Sequence, residues 1–204
     1  MGRVNEYGRS MIEMLGVLAI VGVLSVGGIA GYSKAMTKFK ANKLIDQITT
    51  ISMNIRTLFA NERDYSSVTP ANVVKLGVLP REMYEDTDVS GSNIIHAFGG
   101  NAEVHYVFGR TVGHYDYFAV RMKSLPKDAC VVVLTTDFGS DAVVAMGIHR
   151  EPATMIVING GVLEASDDVA VPGDANYPAP MSVVMAQNAC QSIRDDEYVF
   201  VMFR

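Results

Sequence analysis

The sequence predicts an α+β protein in which a long N-terminal helix packs on a head built around a largely antiparallel β-sheet. Three observations carry this expectation. Residues 14–33 contain no charge and are almost wholly apolar. No proline occurs before residue 70, so nothing breaks a helix that starts in that run and continues past it. After Asp64, β-branched and aromatic runs alternate with loops rich in Gly, Ser and Asp, the texture of strands joined by turns.

The apolar run comes first. At about 1.5 Å per residue, residues 14–33 extend roughly 30 Å, the thickness of a bilayer's hydrocarbon core. A helix inside a water-soluble domain is rarely apolar on every side for so long, so the run reads as a membrane span. Beyond it, Leu44, Ile48, Ile51, Ile55 and Leu58 recur at spacings of four and three. Lys38, Lys40, Asn42, Lys43, Asp46, Gln47 and Arg56 stand among the intervening positions. This is an amphipathic stripe that must lie against something, most simply the head. One helix over residues 10–60 would measure roughly 75 Å.

In the head, Thr69-Pro70 opens a short helix, with the threonine as N-cap and the proline in the first turn, and Gly77 can close it. Strands are expected at 102–108, 115–122, 142–148, 154–159 and 198–203. Asn159-Gly160-Gly161 is a hairpin-type turn signal. Ser124-Leu125-Pro126 starts a helix leading into Cys130, and Pro180 precedes a helical stretch containing Cys190.

Composition narrows the function. Hydrophobic residues make up 49% of the 204-residue chain and charged residues only 19%, more apolar than a typical water-soluble domain. Residues 1–63 carry eight Lys/Arg against four Asp/Glu, whereas 64–204 carry nine against eighteen. A basic stem on an acidic head argues against nucleic acid as a partner of the head. Cys130 and Cys190 stand in no CxxC pair and beside no histidine, so zinc and thioredoxin-type chemistry lack support. They form a disulfide if the head is exported and two buried thiols if it stays in the cytoplasm.

Catalysis has no candidate residues. His96, His105, His114 and His149 stand singly, as strand-surface residues or satisfied hydrogen-bonding groups rather than ligands. There is no nucleophile elbow, and Gly99-Gly100 and Gly160-Gly161 are turns rather than phosphate loops. Asp167, Asp168 and Asp174 lack the spacing of a calcium loop. No cofactor and no metal site are expected.

The N-terminus admits three readings. Gly28-Ile29-Ala30 could end a secretory signal peptide, but the apolar run is long for one and the helical pattern continues straight past the site. A plain single-span anchor would account for the length. It gives no reason for Glu13 at the membrane edge or for Gly16, Gly22, Gly27, Gly28 and Gly31 within one span, where Gly27 and Gly31 form a GxxxG pair. The third reading takes these features together. Gly8-Arg9-Ser10-Met11-Ile12-Glu13-Met14-Leu15 resembles the class III signal of type IV prepilins: a polar leader ending in Gly, then a hydrophobic stretch with Glu at the fifth place after the cut. Arg9 departs from the apolar residue usual after the cut. Lys34, Lys38, Lys40 and Lys43 follow the span while only Arg3 and Arg9 precede it, so charge counting alone would keep the head inside. The prepilin-like signal takes precedence over that count.

The resemblance implies a leader over 1–8, a long helix over 9–62 and a globular head over 63–204. Within the helix, 14–33 would be the transmembrane and filament-core part and 34–62 the amphipathic part. It also implies cleavage after Gly8, N-methylation of Arg9, Glu13 as an assembly contact, and helix packing through Gly16, Gly22, Gly27 and Gly31. A disulfide between Cys130 and Cys190 would bound the C-terminal region, in the layout of the type IVb branch. The implied role is that of a structural subunit, a major pilin, of an extracellular filament assembled from the bacterial inner membrane. Its partners would be copies of itself, inner-membrane lipid, a prepilin peptidase and pilus-assembly machinery. The alternatives are a type II secretion pseudopilin and a single-span sensor or ligand-binding protein.

Overall fold

The computed structural model describes residues 6–85, 93–107, 115–139, 141–150, 169–170, 179–191 and 193–204, and side chains throughout these except at 6–10, 149–150 and 169–170. The expected strand at 154–159, its Asn159-Gly160-Gly161 turn, His114 and the aspartates at 167, 168 and 174 lie outside the described residues. The chain divides into two compact units, Met1–Phe39 and Lys40–Arg204.

Helix α1 runs from Glu6 to Leu58. Its first part, through residue 35, is exposed wherever side chains are described. Among the described residues it is the single helix long and apolar enough to cross a membrane. In the second unit its character changes, because Leu44, Ile48, Ile51 and Ile55 are all at most 1% exposed in the main core. Burying a side chain of this size contributes roughly 1.5–3 kcal/mol, so this stripe is a principal attachment of the helix to the sheet. Leu58 departs from the expected stripe and is 51% exposed. The helix ends there, and Phe59 takes over the contact, its ring 5.9 Å from that of Tyr65.

Polar groups reinforce the attachment. Gln47 is buried and its Oε1 accepts from the Ala97 N–H at 3.0 Å, while Asn54 Nδ2 donates to the Val78 carbonyl at 2.7 Å. Helix α2, Pro70–Lys75, has Thr69 as N-cap and is followed by Gly77 at φ +64°, where a residue with a Cβ would be strained. A 3₁₀ turn, Arg81–Met83, follows.

Among the described residues, five strands form one sheet: β1 Ala102–Val107, β2 Tyr117–Lys123, β3 Val143–Arg150, β4 Val169–Ala170 and β5 Glu197–Phe203. Their order is β1-β2-β5-β3-β4, and every pairing is antiparallel. The C-terminal strand therefore lies in the middle, with Val201 opposite Val120 on one side and Met146 on the other. All seven residues of β5 are buried, as a central strand covered on both faces requires. Val199, Val201 and Phe203 join the main core with the α1 stripe. Phe200 and Met202 point the other way, to a second cluster with Val107, Ala119 and Ala145. Helices α3, Lys127–Thr135, and α4, Val183–Gln191, complete the head.

Candidate assembly surface

Throughout the N-terminal part of α1 the described side chains are exposed. The large apolar residues from Met11 to Ile29 are between 52% and 74% exposed, and Glu13 is exposed among them. In water such a surface is untenable at this length, so lipid or another apolar helix must cover it. A Cβ built on Gly16, Gly22, Gly27, Gly28 or Gly31 would meet nothing within 4 Å. Among the described residues no contact calls for glycine there; what the missing side chains permit is close approach by another helix.

Helical geometry sorts the sites. At about 100° per residue, Glu13, Gly16, Gly27 and Gly31 fall within an arc of roughly 60° on one side of α1. Gly22 faces nearly the opposite way and is not brought together with them. Gly8 and Arg9 lie in the first turn of α1, with Arg9 one turn before Glu13.

In the head, Cys130 and Cys190 are joined by a disulfide with a Cα–Cα distance of 5.9 Å. Pro126 stands at the N-cap of α3, Ser182 Oγ accepts from the Met185 N–H at the start of α4, and the bond ties these two helices together where both sulfurs are buried. Lys127 Nζ donates to the Gln191 carbonyl at 2.7 Å across the same pair. An open cleft of about 400 Å³ between the helices is lined by Lys127, Asp128, Val131, Gln187, Asn188 and Gln191, a set without a nucleophile–base pair.

Two titratable groups of the head, His96 and Glu103, are held by contacts within the fold. His96 is 3% exposed; the Phe98 N–H donates to its Nδ1 at 3.2 Å, so Nε2 carries the proton and donates to the Lys123 carbonyl at 2.8 Å. Burial pushes its pKa down despite that carbonyl. The same loop leaves no room beside Gly100, where a Cβ would lie 2.6 Å from His96 Nε2 and closer still to the Lys123 carbonyl oxygen. On β1, the Glu103 carboxylate is held at a pKa of about 2, first by His105, then by Arg121 and by the Tyr198 hydroxyl, against the opposing effect of burial. Arg121 Nη2 donates to Glu103 Oε2 at 2.6 Å, and the Tyr198 hydroxyl donates to Glu103 Oε1 at 3.1 Å. Sequence reasoning missed Gln47, Arg121 and Tyr198. Gln47 had a usable signal: it sits at the edge of the apolar stripe, where an amide must find a partner.

Comparison with known proteins adds to this geometry. The family described as PilS N terminal matches residues 38–199. The major structural subunit of bundle-forming pilus from Escherichia coli O127:H6, and its counterpart from Escherichia coli O111:H-, are each 27% identical over 143 residues, which is 70% of this chain and 70% of theirs. The crystal structure of TcpA, a type IV pilin from Vibrio cholerae El Tor biotype, superposes with a TM-score of 0.52. It is 16% identical and the match covers 80% of this chain and 98% of that one, a likeness of fold.

Proposed function

The chain belongs to the type IV pilin family described as PilS N terminal, and on that premise we propose that it is the major structural subunit of a type IV pilus-like filament. It acts by assembly and not by catalysis. The observation that carries this reading is the N-terminal part of α1: an exposed apolar surface, charge-free over 14–33, with one carboxylate, Glu13, at its edge on the same side as a glycine face.

The chemistry follows from those residues. The precursor sits in the inner membrane through residues 14–33, with the head outside the cytoplasm. A prepilin peptidase cuts after Gly8 and the new amine of Arg9 is methylated. The assembly machinery then lifts the helix out of lipid into a bundle of identical helices. Lipid tails are as apolar as leucine, so transfer gains little from hydrophobicity and depends on close packing and polar contacts. Gly16, Gly27 and Gly31 permit the close packing. Glu13 supplies the polar contact, since a carboxylate at an apolar surface is costly until it meets a positive charge. The amine of Arg9 in a neighbouring copy provides that charge only within the filament, which fixes the axial register. Arg9 and Glu13 are also four residues apart in one helix, and a pair within the chain is the competing arrangement.

Substitution separates the two. Glu13→Ala should leave membrane insertion and leader cleavage intact and abolish filaments. Arg9→Ala should be milder, because the backbone amine remains. Normal filaments from Glu13→Ala subunits would refute the intermolecular contact.

A further inference from the structure

We propose that Lys34 and Lys38 form a binding site for the phosphate of anionic phospholipids in the outward-facing leaflet of the membrane, bracketed by Tyr32 and Phe39. The inference rests on the reading of the head as exported and goes beyond it by giving the subunit a lipid ligand.

The sequence poses the question. No acidic residue stands between Glu13 and Asp46, yet this stretch holds Lys34, Lys38, Lys40 and Lys43. Lysines that flank a span ordinarily mark the cytoplasmic side, so four on the translocated side oppose the topology rather than set it. The structure accounts for two of them. Lys40 Nζ lies over the Phe98 ring, 5.9 Å from its centroid, and Lys43 Nζ is 3.6 Å from Glu82. Lys34 and Lys38 are exposed, and among the described residues neither has an acidic partner.

Depth identifies the ligand. Residues 14–33 fill a hydrocarbon core of roughly 30 Å, and the headgroup layer beyond adds about 5–7 Å on each side. At about 1.5 Å per residue, Lys34 stands roughly 2 Å beyond Ser33, inside that layer, and Lys38 roughly 8 Å beyond it, at the layer's outer edge, so the two lysines bracket the phosphates. Being four residues apart, they share one side of α1. Tyr32 and Phe39, 67% and 64% exposed, share nearly the opposite side two turns apart. A tyrosine at the edge of the hydrocarbon core sits among headgroups, so Tyr32 adds an interfacial anchor on the flank away from the cations. The acidic head of a second copy is the competing occupant; the match to phosphate depth favours lipid.

The test uses the full chain in phosphatidylcholine vesicles containing phosphatidylglycerol as the minority lipid. Spin-labelled lipids report which headgroup is retained at the protein surface. Two cations at a charged interface should give roughly a tenfold preference for phosphatidylglycerol, weakened by salt. Lys34→Gln/Lys38→Gln should remove it, and Lys40→Gln/Lys43→Gln should leave it in place. No preference in the unsubstituted chain would overturn the proposal, as would one that survives the first substitution. If the first pair of substitutions abolishes filaments while the lipid preference persists, the neighbouring head is the partner and the proposal fails. A chain that inserts without preference refutes the lipid site alone, whereas one that does not insert refutes the anchored subunit as well.

Discussion

Breaking the disulfide should cost the head a large share of its stability. The perturbation is Cys130→Ala/Cys190→Ala in the fragment 34–204. The bonded residues are 60 apart in sequence. A loop of that size gives about 4 kcal/mol in the chain-entropy treatment of the unfolded state. Both sulfurs are buried against α3 and α4, so their removal adds roughly 1 kcal/mol of lost packing. Against this, the Lys127–Gln191 contact and the hydrogen bond from the Met181 N–H to the Leu134 carbonyl still hold the C-terminal region to α3. The net loss should therefore fall at about 3–5 kcal/mol, within the range for native disulfides. With a urea m-value near 2 kcal/mol/M, the unfolding midpoint should drop by roughly 2 M at unchanged slope. A drop below about 0.3 M would refute the reasoning, since it would mean that the bond restricts nothing in the unfolded chain.

Three further outcomes concern the head. Ile51→Ala, at a position with 0% exposure in the α1 stripe, should destabilise by about 2–5 kcal/mol, while Leu58→Ala should cost under about 1 kcal/mol; urea midpoints of the two variants check the contrast. His96 has a folded pKa below its unfolded value near 6.5, so it contributes stability above about pH 6.5 that is lost as the pH falls from there towards the folded pKa. Unfolding midpoints tracked across that window should slope downward, and His96→Gln should flatten the slope; an unaltered slope would locate the proton uptake elsewhere. The Glu103 contribution is lost as the pH falls from about 4.3 to about 2, a window that opens below the pH at which the His96 loss begins. The unsubstituted fragment 34–204 should be soluble and monomeric by light scattering, because the apolar run ends before it; aggregation of oxidised material would place 14–33 in the head's own core.

The long helix was legible because its pattern is local: a charge-free run, then apolar spacings of three and four, and no proline. Its end was less so. Leu58 fits the period as well as Ile55 does, but a helix terminus depends on the residues beyond it, and the turn after Leu58 brings Phe59 inward instead. β1, β2, β3 and β5 stand within two residues of their expected limits, since β-branched and aromatic runs announce themselves. β4 did not, because two residues carry no period. Nor could the central place of β5 be read, as it depends on pairings between segments about 50 to 80 residues apart, which leave no local trace. His96 was left between strand surface and satisfied hydrogen bond, and the buried pairing with Phe98 and Lys123 selects the second. Glu13 and the glycines were singled out for contacts between chains; in the structure Glu13 is exposed and the glycines have open space beside them.

The central claim is that this chain, once cut and methylated, is the building block of a surface filament. Filaments sheared from the surface of the native cells and analysed by intact-protein mass spectrometry test it most directly. The account predicts that their main protein is this chain beginning at Arg9, carrying one N-terminal methyl group, with Cys130 and Cys190 bonded and no residue of 1–8 retained. Recovery of the chain in the membrane fraction alone, with Gly8 still joined to Arg9, would contradict it.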